Sequence, residues 1–352
     1  MKIILATPIY PPEIGGPAIY AKNLREGLEK RGHSVKIISY QGLKGYPQPL
    51  KIVLYFFRLF KNTEGCDLIY VFNLISCGLP AYFLSKILKK KFVIRIGGDF
   101  LWERAVEADR TKKPLREYYQ DSKTLKEKFW IVLIRKILNQ ADNTVFTSYF
   151  QKEIYLKFFN IQEEKTVVIL NPFPKITQAS SQPPLNYQIL FAGRLIKLKN
   201  LQFLINVFSK VLEKTDKNLT LKIIGQGPER NNLKAGDKVI FHLPVSHQDL
   251  LKEIQQSYLC ILPSLTEITP NFALECIKLQ KPILMTQETG FFEIFKDYLL
   301  FINPQQEADL LSKILYLLDE KNYLSYIERI KSIPTDWSWD KVVEQHEKSL
   351  IY

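Results

Sequence analysis

Two glutamates with seven residues between them, Glu267 and Glu275, bracket the stretch Ile268-Thr269-Pro270-Asn271-Phe272-Ala273-Leu274. The apolar run Leu259-Cys260-Ile261-Leu262 before them reads as a buried strand that ends at Pro263. Thr269 is placed to cap a helix whose first residue is Pro270, where a missing N–H costs nothing. The amides of Asn271, Phe272 and Ala273 would then be donors at the positive end of that helix, a place that suits an anion. A ligand carrying both phosphate and hydroxyl groups fits such a set, with amides for the phosphate and carboxylates for sugar hydroxyls. A capped surface helix with one incidental loop glutamate accounts for the same residues, and this stretch alone does not choose between the two.

A second set lies upstream. The strand pattern Gln188-Ile189-Leu190-Phe191-Ala192 runs into Gly193-Arg194-Leu195-Ile196-Lys197-Leu198-Lys199-Asn200. Cations that leave a strand toward a helix start can hold a diphosphate from the side opposite the amides. Lys197 could share that task or simply face water. The strand Leu219–Ile224 is followed by Gly225-Gln226-Gly227-Pro228, which lacks the third glycine of a dinucleotide fingerprint and so argues against a nicotinamide cofactor.

These residues need a scaffold of alternating strands and helices, and the chain supplies one. Lys2–Ala6 reads as a strand, Pro8–Pro17 as a loop containing Gly15-Gly16, Ala18–Arg31 as an amphipathic helix ended by Gly32, and Val35–Ser39 as the next strand. That is the opening of a parallel βαβ sheet, in which ligands bind beyond the carboxyl ends of the strands. Paired glycines there permit close approach to a phosphate or sugar, or serve as a flexible turn. The strand Lys91–Ile96 leads into Gly97-Gly98-Asp99-Phe100-Leu101-Trp102-Glu103-Arg104. Asp99 is the carboxylate at that strand end that could bind an acceptor or take its proton, and it could equally be a helix N-cap. Glu103 and Arg104 are further acceptor candidates. His33, after a helix-ending glycine, reads as structural.

At 352 residues the length suits two domains of ordinary size. The best boundary is the Pro-rich and Ser-rich stretch 171–187, giving a first domain over 1–170, a second over 188–335 and a terminal helix over 336–352. Residues 1–170 hold 28 Lys and Arg against 16 Asp and Glu, while the rest hold 21 against 20. This basic excess favours an anionic partner, a phosphorylated substrate or a lipid surface; no recognition motif supports nucleic acid. The apolar helix expected over 51–61 reads as buried, or as an interfacial membrane helix. Residues 109–128, rich in Lys, Arg and Tyr, read as a mobile or helical insertion near the acceptor. Four cysteines without metal-ligand spacing predict free buried thiols in a reduced, cytoplasmic chain. There is no Asp-x-Asp metal motif, Walker loop, zinc spacing or serine nucleophile elbow.

The paired glutamates after a strand ending Pro-Ser, with Pro-Asn-x-x-Leu before the second, resemble the donor-site signature of family-four glycosyltransferases. Gly-Arg-Leu…Lys-Asn upstream, the opening Tyr10-Pro11-Pro12…Gly15-Gly16-Pro17 and the ending Trp337-Ser338-Trp339-Asp340 resemble the same family. The resemblance implies an α/β fold of GT-B type: two Rossmann-like domains with a donor and acceptor cleft, and a C-terminal helix crossing back to the first. It implies that Glu267 contacts the donor sugar, that Arg194, Lys199 and the Asn271 and Phe272 amides hold the diphosphate, and that Glu275 binds the ribose. It places Gly15, Gly16, Gly225 and Gly227 along the donor, the last two near the base. Where the family usually has Gly after the first Glu, this chain has Ile268, and the histidine common near Asp99 is absent. The implied activity is transfer of a sugar from a nucleotide-sugar donor, with retention of anomeric configuration. The acceptor would be a glycan, anionic or lipid-linked, in cell-surface polysaccharide synthesis, with no metal and no cofactor. Peripheral contact with the inner membrane surface is a further expectation. A nucleotide-sugar-binding pseudoenzyme and a GT-B epimerase are the alternatives.

Overall fold

The computed structural model describes residues 1–13, 15–43, 45–176 and 186–351. The chain divides into two units. One comprises residues 1–101, 119–172 and the segment from Trp337 onward; the other comprises 102–118 and 173–336. Of the stretch expected to be a linker, residues 177–185 lie outside the described residues.

In the first unit the expected alternation is realised as β1 (Lys2–Thr7), α1 (Gly16–Lys30), β2 (Ser34–Ser39), α2 (Gln48–Phe60), β3 (Leu68–Val71), α3 (Gly78–Leu88) and β4 (Lys91–Ile96). Then come α4 (Phe100–Glu107) and α5 (Leu115–Gln120), most of whose residues group with the second unit, and, in the first, α6 (Leu125–Gln140), β5 (Asn143–Phe146), α7 (Tyr149–Phe159) and β6 (Thr166–Val168). The strands form one parallel sheet in the order β2-β1-β3-β4-β5-β6, so the direction of winding reverses between β1 and β3. Runs such as Ile3-Ile4-Leu5-Ala6 are buried along their length, as strands covered on both faces must be.

One expectation is corrected here, and of two alternatives left open for residues 109–128 the helical one is found. Helix α2, read mainly as buried, sinks Tyr55 and Leu59 but leaves Leu50, Val53, Phe57 and Phe60 in solvent. Its composition is apolar all round, yet only one side meets the sheet. The charged stretch 109–128 is built from α5 and the start of α6, the latter opened by a capping box between Thr124 and Glu127. Part of it, residues 102–118, groups with the second unit.

The second unit contains β7 (Tyr187–Ala192), α8 (Leu201–Leu212), β8 (Leu219–Ile224), β9 (Val239–His242), α9 (His247–Gln256), β10 (Leu259–Leu262) and α10 (Asn271–Lys278). It continues with β11 (Ile283–Thr286), α11 (Phe292–Phe295), β12 (Leu300–Ile302), α12 (Glu307–Leu318) and α13 (Glu320–Lys331). Its parallel sheet has the order β12-β11-β10-β7-β8-β9 and reverses between β7 and β10.

The last helix, α14 (Trp339–Ile351), packs on α1 in the first unit, the returning element the resemblance implied. The approach is close because α1 offers Gly27: a Cβ there would lie 2.3 Å from Val343 Cγ2. Deeper in, His346 is fully buried, with Tyr20 Oη 2.7 Å from its Nε2 and Tyr70 Oη 3.0 Å from its Nδ1. Arg95 lies across the Tyr20 ring at 3.7 Å and donates to Asn171 Oδ1 at 2.8 Å. His33 is also structural, 3.0 Å from Glu347 Oε1 on α14.

Burial, with a smaller contribution from the Arg95 charge, holds the His346 imidazole well below its usual range. It stays neutral in the fold while the unfolded chain's histidine takes a proton below about pH 6.5, so the unfolded state binds more protons there and stability is lost as the pH is lowered. We expect the urea midpoint to drop between pH 7.5 and 5, by a margin that shrinks in His346→Gln. An unchanged pH dependence in that variant would contradict this account.

Candidate donor site in the second unit

The sheet reversal between β7 and β10 determines where a ligand can sit. At such a point the connecting loops leave their strands in opposite directions and open a crevice beyond the carboxyl ends. The loop after β7 carries Arg194 and Lys199, and the loop after β10 carries Glu267, so the chemistry-bearing residues foreseen from sequence emerge from the two strands that flank the reversal.

The two loops are joined. Leu265 donates its N–H to Leu198 O at 2.9 Å, and Asn200 Nδ2 reaches Pro263 O at 3.3 Å and Pro304 O at 2.9 Å. Lys199 Nζ forms an ion pair with Glu267 Oε1, which also accepts from Ser264 Oγ at 2.6 Å. Both charged side chains are mostly buried. The backbone of Glu267 is held in turn by the loop after β11: its N–H donates to Glu288 O at 2.9 Å and its O accepts from Gly290 N at 3.0 Å. Glu267 is thus fixed at three points, and its neighbour Ile268 turns into the core. Burial raises the Glu288 carboxyl above its ordinary range, against the opposing pull of Arg116.

Helix α10 begins one residue later than expected. Pro270, with ψ at 88°, occupies the cap position in place of Thr269, and no side chain at the cap accepts from the first turn. Pro270 O already accepts from Ala273 N at 3.0 Å and Leu274 N at 3.3 Å, so Ala273 leaves the set of donor amides expected there. Glu275, on the first turns of α10, lies with Oε1 3.0 Å from His247 Nε2. That bond raises the His247 pKa. His247 has no signal in the sequence, standing 28 residues from its partner.

Arg194 is exposed, and among the described residues its side chain has no hydrogen-bond or ion-pair partner. Lys197, by contrast, is taken up in an ion pair with Asp109. Gly225 and Gly227 are required by packing. A Cβ on Gly225 would stand 1.9 Å from Gly193 O, and one on Gly227 2.2 Å from Leu195 O. The backbones lie that close because Gly193 N bonds Ile224 O at 3.0 Å and Leu195 N bonds Gln226 O at 2.9 Å. The turn after β8 therefore shapes the Arg194 loop.

Residues 102–118 brace the same loops from outside the sheet. Leu115 N donates to Thr266 Oγ1 at 2.9 Å, Leu198 N donates to Glu107 Oε1 at 3.4 Å, and Trp102 Nε1 closes the segment on Lys113 O at 2.9 Å. Glu103 and Arg104 belong to this segment, on α4, with Arg104 exposed.

The remaining expected residues belong to the first unit. Gly15 and Gly16 open α1 beyond β1, and a Cβ on Gly15 would meet Ile9 Cδ1 at 2.8 Å. Asp99 immediately precedes α4 and is buried. Its Oδ1 and Oδ2 accept from Tyr119 Oη at 3.0 and 2.9 Å, and Oδ2 from Tyr155 Oη at 3.0 Å. Neither tyrosine was foreseen, because each lies on a separate helix.

Comparison with known proteins bears on the family. Residues 173–332 match the family model described as glycosyl transferases group 1, and residues 14–174 match that of glycosyltransferase family 4. The chain is a glycosyltransferase of GT-B type. An uncharacterized glycosyltransferase of Methanocaldococcus jannaschii is 24% identical, with 98% of this chain and 96% of the relative covered. The O-antigen chain mannosyltransferase RfbU of Salmonella typhimurium is 23% identical over 64% of this chain and 61% of its own length. The sucrose-phosphate synthase of Thermosynechococcus elongatus shares the fold, with a TM-score of 0.77 at 17% identity and coverage of 99% and 98%.

The close packing of the two turns gives a direct test. Gly227→Ala should destabilise the fold by about 1–3 kcal/mol, because backbone on both sides must move. Gly236→Ala, with nothing within 4 Å of the added carbon, should leave the unfolding midpoint nearly unchanged. Equal effects would contradict the packing argument.

Proposed function

We propose that the chain transfers a sugar from a nucleotide-sugar donor bound in the second unit to a glycan acceptor, anionic or lipid-linked, without a metal ion and with retention of configuration. The observation that carries this reading is the contrast between two cations on one loop. Lys199 is held by Glu267, whereas Arg194 is exposed without a partner among the described residues, beside the same sheet reversal. An unengaged guanidinium at that position suits a diphosphate, which it can meet with two parallel hydrogen bonds.

In this reading Arg194, Lys199 and the Asn271 and Phe272 amides share the charge that builds on the departing nucleoside diphosphate as its bond to the anomeric carbon breaks and the acceptor oxygen bonds to that carbon, the hydroxyl proton passing to the departing diphosphate. Groups already in place cost no reorganisation at that moment. Glu267, fixed by Ser264, Lys199 and the loop after β11, is oriented to accept from the donor sugar's hydroxyls. Glu275 takes the ribose hydroxyls, with His247 as the partner it already has. Gly15, Gly16, Gly225 and Gly227 would lie along the donor, the last two by shaping the loop. Asp99 is proposed as an acceptor-side positioning residue, since its oxygens already accept from two phenols, with Glu103 and Arg104 as acceptor contacts.

The basic balance of residues 1–170 supports an anionic acceptor, and the likeness to an O-antigen mannosyltransferase supports a place in cell-surface polysaccharide synthesis. Free buried cysteines support a reducing, cytoplasmic setting.

A panel of UDP-, GDP-, ADP- and TDP-sugars, assayed for nucleoside diphosphate release with lipid-linked glycan acceptors in EDTA, tests the reading. One donor should turn over, and Arg194→Ala and Glu267→Gln should each lower kcat/KM about 10²–10³-fold. Turnover unaffected by Arg194→Ala would overturn the assignment.

A further inference from the structure

The helical layer on one side of the first unit's sheet is unusual on its outer surface. Helix α2 packs on α3 and α3 on α6, and all three turn apolar side chains to solvent. On α2, Leu50, Val53, Phe57 and Phe60 recur at helical spacing and are 43–54% exposed. On α3, Ile87 is 63% exposed, and on α6 Leu125 and Phe129 reach 85% and 63%. Single exposed apolar residues are ordinary, but a stripe repeated on three adjacent helices marks a surface meant to be covered.

Charge on the same helices indicates what covers it. Together they carry seven Lys and Arg and one carboxylate, Glu127, which is buried in its capping box. Lys126, Lys128 and Lys136 are exposed and form no ion pair among the described residues. A second copy of the chain would set cations against cations, and nucleic acid, which could stack on the phenyl rings, would leave Leu50, Val53, Ile87 and Leu125 uncovered. An anionic bilayer satisfies both features, taking the apolar stripe below the headgroups and the lysines among the lipid phosphates.

We propose that the outer face of α2, α3 and α6 is a docking surface for an anionic phospholipid bilayer. No helix among the described residues is long and apolar enough to cross a membrane, and these helices would lie in the headgroup plane. The inference deepens the lipid-linked acceptor part of the proposed function. Its test reads lipid binding alone, so it stands or falls separately from transfer activity.

The full chain would be floated with vesicles of phosphatidylcholine alone and of phosphatidylcholine mixed with phosphatidylglycerol. Wild type should bind the anionic vesicles, and less as salt rises. The double variants Phe57→Ser with Phe129→Ser, and Lys126→Glu with Lys128→Glu, should each lose about tenfold or more in partitioning. Leu243→Ser, a 73% exposed leucine of the second unit, should bind like wild type. All these positions are exposed, and unchanged unfolding midpoints would confirm intact folds. Absence of wild-type binding, or binding at the wild-type level by either double variant, would overturn the proposal. So would gel filtration showing a wild-type dimer that Phe57→Ser with Phe129→Ser converts to monomer without lipid binding.

Discussion

The second unit depends on a single constraint, the joining of the β7 and β10 loops where the sheet reverses direction. An ammonium and a carboxylate, Lys199 and Glu267, are brought mostly out of water at that joint. Such a pair is expensive to desolvate and is tolerated when other bonds fix its geometry, as Ser264 and the loop after β11 do here. Removing one member would strand the other charge. The pair is therefore better understood as a device for orienting Glu267 than as a source of stability.

Much of the remaining architecture of this unit serves to hold those loops. Glycines at 225 and 227 let the turn after β8 press backbone against backbone beneath Arg194. Residues 102–118 brace Leu198 and Thr266, the immediate neighbours of Lys199 and Glu267. In the first unit a comparable economy operates on a different chemistry. His346 satisfies two buried tyrosines at once, and Arg95 is accommodated by an aromatic face and an amide side chain. A chain segment more than 240 residues away in sequence is thereby fixed on α1, where Gly27 leaves room for it.

How much of this could be read beforehand followed the range of the interactions. Buried strands such as Leu259–Leu262, and helices such as the one expected over Ala18–Arg31 and found at Gly16–Lys30, show in local patterning. The start of α10 slipped by one residue because Pro270 has a non-helical ψ, a matter of local geometry that composition does not reveal. Helix α2 was misjudged because apolarity all round says nothing about how much of a helix its neighbours cover. The tyrosines on Asp99, the Ser264 bond to Glu267, the bracing segment and the His247 partner of Glu275 are tertiary facts, set by topology between residues with no shared pattern. Spacing identified which residues could do chemistry; the structure shows what restrains each of them and that Arg194 is left available.

The central claim, a diphosphate site built from fixed protein groups, is tested most directly by unfolding midpoints with UDP, GDP, ADP and TDP in EDTA. Ligand at ~100 times its dissociation constant stabilises a fold by roughly 2.7 kcal/mol, enough for a clear shift. The account predicts a shift with one of these nucleotides that survives EDTA and disappears in Arg194→Ala. No shift with any of them, or a shift that Arg194→Ala leaves intact, would contradict it.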